Sequence, residues 1–215
     1  MIIAIDGPSA SGKSTTAKGV AKALGCIHLD TGSMYRAVTL GFMNAGVDLN
    51  QKSEVSKMLN DIDITFNHFD QICLNGENVS KLIRTTDISS KVSFVSALPE
   101  VREKMVKIQR KIADKKNCVL EGRDIGTVVF PNAEYKFFLV ADTEVRAKRR
   151  LLEMRDMGEK KSLANLISEI EIRDRFDRTR DHSPLVKAED ALSIDTSILT
   201  IDEQINKIVG IINKQ

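Results

Sequence analysis

The chain has 215 residues, of which 42% are hydrophobic and 29% charged, with 32 Lys+Arg against 30 Asp+Glu. That length and apolar content suit one large domain, or one with a modest insertion, and exclude intrinsic disorder. The net charge of +2 excludes the strongly basic surface expected of a duplex-wrapping protein, so any anion binding has to be local.

In chain order, Ile2–Ile5 is a short apolar run of the kind found in strands buried on both faces of a parallel sheet. A Gly-rich loop over 7–12 follows, then a helical stretch from Lys13 to Leu24 ending at Gly25. A second strand over Cys26–Leu29 leads to a helix over Ser33–Ala45 closed by Gly46. This alternation predicts βαβ units and a parallel sheet. Between Ile62 and Arg84 the pattern changes. Ile62, Ile64 and Phe66 alternate with polar residues, and Gln71–Leu74 and Val79 flank Asn75-Gly76-Glu77, a hairpin signal. Helical pattern returns over Ser89–Ala113, broken at Pro99. Strands are expected at Asn117–Leu120 and Lys136–Val140, then a basic helix from Thr143 and a charged helix over 162–180. Ala191–Ile194 reads as the last strand, and Thr200 with Glu203 as a capping box opening the terminal helix.

Cys26, Cys73 and Cys118 form no CxxC pair and no disulfide framework, which points to a reducing, cytoplasmic setting. No apolar run reaches the roughly 20 residues of a membrane span. His28, His68 and His182 have no metal-ligand spacing and are assigned no chemistry.

Gly7-Pro8-Ser9-Ala10-Ser11-Gly12-Lys13-Ser14 matches GxxxxGK[ST] in full, between a buried strand and a helix, as the motif requires. Its glycines let successive backbone N–H groups converge on phosphate oxygens at a helix N-terminus, where Thr15 also lies. Lys13 is expected to bridge β and γ phosphates and the Ser14 hydroxyl to ligate Mg²⁺. No DxxG or N/TKxD motif of a GTPase is present. A motor-type ATPase needs a longer chain and a clear strand ending in an acid, whereas the strand expected at 117–120 ends in Glu121-Gly122-Arg123-Asp124, a different arrangement. What remains is a small kinase moving the γ-phosphoryl group of ATP to a small acceptor. Arg36 and Arg123 are expected at the carboxyl edge of the sheet, where open α/β folds bind ligands. Residues 173–180 carry four arginines and two aspartates, as much as the whole formal charge excess, and Arg173, Asp177 and Arg180 share one helix face. Arginine is the side chain for bidentate phosphate contact.

With IAIDGPSASGKST, LDTGSMYRA, LPEVREKMVKIQR, EGRDIGTVVFP and RDRFDRTR in place, the chain resembles the bacterial cytidylate kinases from end to end. The family P-loop often ends GKG where this one has GKS, which favours a hydroxyl at the metal. The resemblance implies an α/β P-loop three-layer fold with a central parallel sheet, a small antiparallel β insert in the monophosphate-binding domain, and a helical lid. It places the core at about 1–60, 114–150 and 185–215, the insert at about 61–113, the lid at about 151–162 with Gly158 as a hinge, and an acceptor-binding helix at 163–180. The implied reaction is transfer from ATP to CMP or dCMP with Mg²⁺, by a monomer with no nucleic-acid or membrane partner. Arg36, Arg123 and Arg173 would surround the acceptor phosphate and the transferring group, Asp177 the ribose hydroxyls, and Ser93, Arg102, Asp124 and Arg180 the base, with Thr31 also on the CMP side. Arg146, Arg149 and Arg150 would serve ATP and the transition state from the lid side. Cytosine offers an amino donor at N4 beside acceptors at N3 and O2, so Asp124 or Ser93 can accept while Arg102 and Arg180 donate. Alternatives are another small-molecule kinase, acting on UMP, AMP, shikimate or dephospho-coenzyme A, and a nucleotide-dependent binding module.

Overall fold

The structure is a computed structural model and describes residues 1–156, 158 and 160–214. It divides into two compact units, Met1–Leu29 with Lys115–Gln215 and Asp30–Asp114.

The first unit is built on β1 (Ile2–Asp6), which pairs in parallel with β6 (Cys118–Gly122) on one side and β7 (Tyr135–Val140) on the other. The sheet has five strands in the order β2-β6-β1-β7-β8, with β2 at Ile27–Asp30 and β8 at Leu192–Asp195. The central strands are apolar because both faces are covered: Ile3, Ile5, Val119, Phe137 and Leu139 are all buried. Helices α1 (Lys13–Leu24) and α8 (Ile201–Ile212) pack together, Ala17, Val20 and Ala21 of α1 meeting Ile208 and Ile212 of α8 in one core with the sheet. Their approach is close at Gly19, where an added Cβ would lie 2.2 Å from Ile205 Cδ1. The capping box of α8 forms as expected, the Thr200 hydroxyl accepting from the Glu203 N–H while the Glu203 carboxylate accepts from the Thr200 N–H. A separate cluster of Ala147, Met154, Leu166 and Ile170 joins α6 (Thr143–Asp156) to α7 (Leu163–Thr179). Gly158 has φ 78°, which suits its glycine; the lid expected at 151–162 includes residues 157 and 159, which lie outside the described residues.

The second unit packs α2 (Thr31–Ala45) against α4 (Thr86–Val95) and α5 (Pro99–Ala113), with α3 (Lys52–Asp61) against α5. Its antiparallel sheet is β3 (Ile64–Phe66), β4 (Ile72–Leu74) and β5 (Glu77–Asn78), with Asn75 and Gly76 at positive φ in the hairpin turn. The unit begins at Asp30, well before residue 61, because α2 and α3 pack with the insert. Helix α2 starts at Thr31 rather than Ser33, capped by the Asp30 carboxylate, which accepts from the Ser33 N–H. The sequence pattern gave no notice of α3, whose Gln51 N-cap makes no side-chain capping bond and which buries only Val55 and Leu59. Among the described residues no helix is long and apolar enough to cross a membrane.

Candidate active site

The loop between β1 and α1 is held in shape by its glycines. At Gly7, φ is +150° and an added Cβ would lie 2.2 Å from the Leu139 carbonyl oxygen, so no side chain fits there. Gly12, at φ 90°, is the N-cap of α1, and Ala10 sits at φ 57°, an unusual conformation for a residue with a Cβ. Lys13 is only 6% exposed, its Nζ donating to the Pro8 carbonyl at 2.7 Å. Burial and the nearby Arg123 guanidinium lower the Lys13 amine to about 7, against the opposing pull of Glu121 and Asp6. The buried Ser11 hydroxyl has no partner among the described residues.

Asp6, the last residue of β1, ties this loop to the segment after β6. Its two carboxylate oxygens accept from the backbone N–H groups of Ile125 and Gly126 at 2.9 and 2.8 Å. Residues Ile125–Val129 form a single wide, π-helical turn that carries Arg123 and Asp124 on its approach. Burial raises Asp6 to about 6, an effect those two N–H bonds oppose.

Glu121 corrects the sequence reading. Strand β6 continues past Leu120 because Ile5 and Asp6 of β1 pair with Glu121 and Gly122. Glu121, 3% exposed, therefore faces the P-loop from a buried strand, and the Ser14 hydroxyl donates to its Oε2 at 2.6 Å. His28 on β2, given no role from sequence, lies with Nε2 3.1 Å from Glu121 Oε1. A hydroxyl beside one carboxylate is an all-oxygen donor set that suits Mg²⁺, which takes one or two protein oxygens plus phosphate and water. Among the described residues no cluster of three or more His, Cys, Asp or Glu suggests a self-sufficient metal cage.

On α7, Asp177 is 2% exposed and surrounded by arginines. Arg123 Nε donates to its Oδ2 at 3.1 Å, Arg173 Nε lies 4.0 Å from the same oxygen, and Arg180 Nη1 is 4.0 Å from Oδ1. Burial and then Arg123 lower Arg173 to about 10. Repulsion from Arg123 and Arg173 thus adds to the burial that lowers Lys13, and repulsion from Arg123 to the burial that lowers Arg173. An arrested repulsion of that kind is relieved by an anion such as a phosphoryl group.

The arginines at the root of α6 are engaged differently. Arg146 is 3% exposed; it donates to the carbonyls of Ala141 and Ser9 and the Thr143 hydroxyl, and its Nη1 meets Asp174 Oδ2 at 2.6 Å. Arg149 donates to the Thr196 hydroxyl and carbonyl, and the Thr196 hydroxyl donates to the Ser11 carbonyl at 2.9 Å. Both brace the P-loop through its backbone. Arg150 pairs with Glu153 at 2.9 Å, and Lys148 with Glu144 on the solvent face.

The second unit presents its own polar set. Arg36 Nη1 donates to the Ile83 carbonyl at 3.1 Å and the Ser89 hydroxyl at 2.9 Å. Arg102 is buried, donates to the Ser96 carbonyl at 3.2 Å and stacks 5.3 Å from the Tyr35 ring centroid. Thr31 is buried in the first turn of α2, and Ser93 is half-buried on α4.

A parallel sheet with a complete phosphate loop and a desolvated cation cluster beside it defines a P-loop kinase. The fold agrees with that of shikimate kinase from Bacteroides thetaiotaomicron, with a TM-score of 0.54 at 12% identity over 99% of this chain and 98% of that one. Residues 3–214 match the cytidylate kinase family model. Relatives named cytidylate kinase include that of Limosilactobacillus fermentum, 47% identical over 99% of this chain and 95% of its own length. That of Cytophaga hutchinsonii is 49% identical over 98% and 92%. The chain belongs to the cytidylate kinase family.

Proposed function

We propose that the chain is an ATP-dependent kinase that transfers the γ-phosphoryl group to CMP or dCMP, giving CDP or dCDP. The observation that carries the phosphoryl-transfer reading is the buried cation cluster of Lys13, Arg123 and Arg173, in which burial first and then repulsion by the neighbouring guanidinium of Arg123 lower Lys13 and Arg173. A charged phosphoryl group removes that repulsion as charge spreads over its oxygens, so stabilisation is greatest where the reaction needs it. No catalytic base is needed, since positioning and electrostatics carry such a transfer.

In this reading Gly7–Thr15 cradle the ATP phosphates, Lys13 moves its Nζ from the Pro8 carbonyl to the β and γ oxygens, and Arg146 and Arg149 hold the loop that receives them. Ser14 and Glu121 would hold Mg²⁺, which when bound would neutralise charge on the nucleotide phosphates. By the family resemblance, Arg36, Arg123, Arg150 and Arg173 serve the acceptor phosphate and the transferring group, Asp177 the ribose, Thr31 the CMP side, and Ser93, Arg102, Asp124 and Arg180 the base. Asp124 or Ser93 accepts from the cytosine N4 amino group; uracil presents an oxygen there, and an unpaired buried polar group costs about 1–3 kcal/mol. The three free cysteines, Cys26, Cys73 and Cys118, support a reducing, cytoplasmic setting, and the proposed active form is a monomer.

The test is ADP release measured with CMP, dCMP, UMP and AMP as acceptors. CMP or dCMP is expected to give the highest kcat/KM, and Asp124→Ala to reduce the preference over UMP by roughly 10- to 100-fold. Preference for AMP would overturn the acceptor assignment; an unchanged CMP/UMP ratio in Asp124→Ala would remove that carboxylate from base reading.

A further inference from the structure

His28 was silent in the sequence, yet the fold brings it to the carboxylate that faces the P-loop. It lies on β2, next to β6 in the sheet, and its Nε2 is 3.1 Å from Glu121 Oε1. The other oxygen, Oε2, accepts from the Ser14 hydroxyl at 2.6 Å. A carboxylate only accepts, so the His28 Nε2 carries the hydrogen in this pair. Glu121 is buried, and a buried carboxylate without donors is costly, so each donor on it helps fix its orientation. His28 acts on the oxygen opposite the one that Ser14 uses, and so opposes rotation of the carboxylate plane away from the Ser14 hydroxyl.

We propose that His28 is a positioning residue of the metal site, holding Glu121 so that its carboxylate and the Ser14 hydroxyl are presented together to the divalent ion that accompanies the nucleotide. This rests on the reading that Ser14 and Glu121 hold that ion. The ring touches neither nucleotide nor ion; it acts through Glu121. Removing such an outer partner typically costs about 10- to 100-fold in metal affinity, while a structural residue of no consequence to the site costs nothing specific to the metal.

The experiment uses Mn²⁺ as a spin probe on the whole chain. Binding of Mn²⁺·ADP is read by electron paramagnetic resonance, and binding of ADP alone, in chelator, by calorimetry. His28→Leu is expected to weaken Mn²⁺·ADP by about 10-fold or more while ADP alone stays within about 2-fold. His28→Gln, which returns an N–H donor near the Nε2 position, is expected to recover affinity to within about 3-fold of the parent. Unchanged Mn²⁺·ADP binding in His28→Leu overturns the proposal, as does equal weakening with and without metal or the absence of rescue by His28→Gln. If His28→Leu does not fold, His28→Ala reads the same quantities. Glu121→Gln separates the two levels of the argument. No loss of Mn²⁺·ADP affinity there overturns the Ser14–Glu121 metal reading and the proposal with it, whereas a loss in Glu121→Gln without one in His28→Leu overturns the proposal alone.

Discussion

Two aspartates three residues apart on α7 sit in opposite electrostatic situations. Asp174 meets one guanidinium, Arg146, at 2.6 Å, and that arginine also donates to three other protein acceptors. Asp177 faces Arg123 at 3.1 Å and Arg173 and Arg180 at 4.0 Å, a carboxylate outnumbered by cations. The first region is balanced and braces the P-loop. The second gathers three arginines around one carboxylate, a setting suited to an anionic ligand. Arginine spacing along the chain is similar in both; what separates a brace from a binding group is the set of partners each finds in the fold.

That contrast can be broken from either side. The largest effect is expected at the surplus end: Lys13→Ala is expected to lower kcat by at least about 10²–10³-fold in an ADP-release assay, with circular dichroism unchanged. A near-parental kcat would break the assignment of the cluster to phosphate. Arg173→Ala is expected to cost about 100-fold in kcat/KM without lowering Tm, since it relieves repulsion as it removes a ligand. Arg146→Ala reverses the pattern. It leaves the Asp174 charge buried and uncompensated, a loss of about 3–5 kcal/mol, which for a chain of this size corresponds to roughly 6–20 °C in a thermal scan. Equal Tm values for the two variants would erase the distinction.

A subtler effect follows from Lys13, which burial holds at about 7 in the nucleotide-free protein, below the ordinary 10.5. Phosphate favours the charged amine and raises it again. Above pH 7 nucleotide binding therefore takes up protons and weakens as pH rises, by at most about tenfold per pH unit; below pH 7 this contribution is absent. Calorimetry at pH 8 in buffers of different ionisation enthalpy is expected to report uptake approaching one proton, and none would contradict the lowered amine. The smallest effect is expected at Lys148, whose pair with Glu144 is exposed. Lys148→Ala is expected to change stability by less than about 0.5 kcal/mol in urea unfolding and to leave kcat unaltered.

What was legible in the sequence was what is local. The P-loop encodes its own turn, Gly25 and Gly46 end their helices at positive φ, and Thr200 and Glu203 form their box within three residues. What was not legible depends on pairing across the chain. Whether β6 stops at Leu120 or reaches Gly122 is decided by the register with β1, and that alone brings Glu121 to Ser14 and His28. The turn at Ile125–Val129 exists because Asp6, 119 residues earlier, accepts the Ile125 N–H. Arg146 is expected on the nucleotide side from its type and place; that Asp174 and the Ser9 carbonyl also engage it depends on the fold.

The P-loop's outer support has a consequence for biosynthesis. The Thr196 hydroxyl that holds the Ser11 carbonyl comes 185 residues after it, and Gln204, which accepts from the Thr16 hydroxyl at 2.6 Å, comes 188 residues after that threonine. At about 5–20 residues per second, a ribosome makes the loop roughly 10–40 s before it makes the side chains that brace it. Residues 30–114 are complete well within that interval and form a compact unit of their own. A nascent chain thus carries a finished phosphate motif that is not yet a finished phosphate site, and nucleotide capture by ribosome-bound chains is expected only after Gln204 has cleared the exit tunnel.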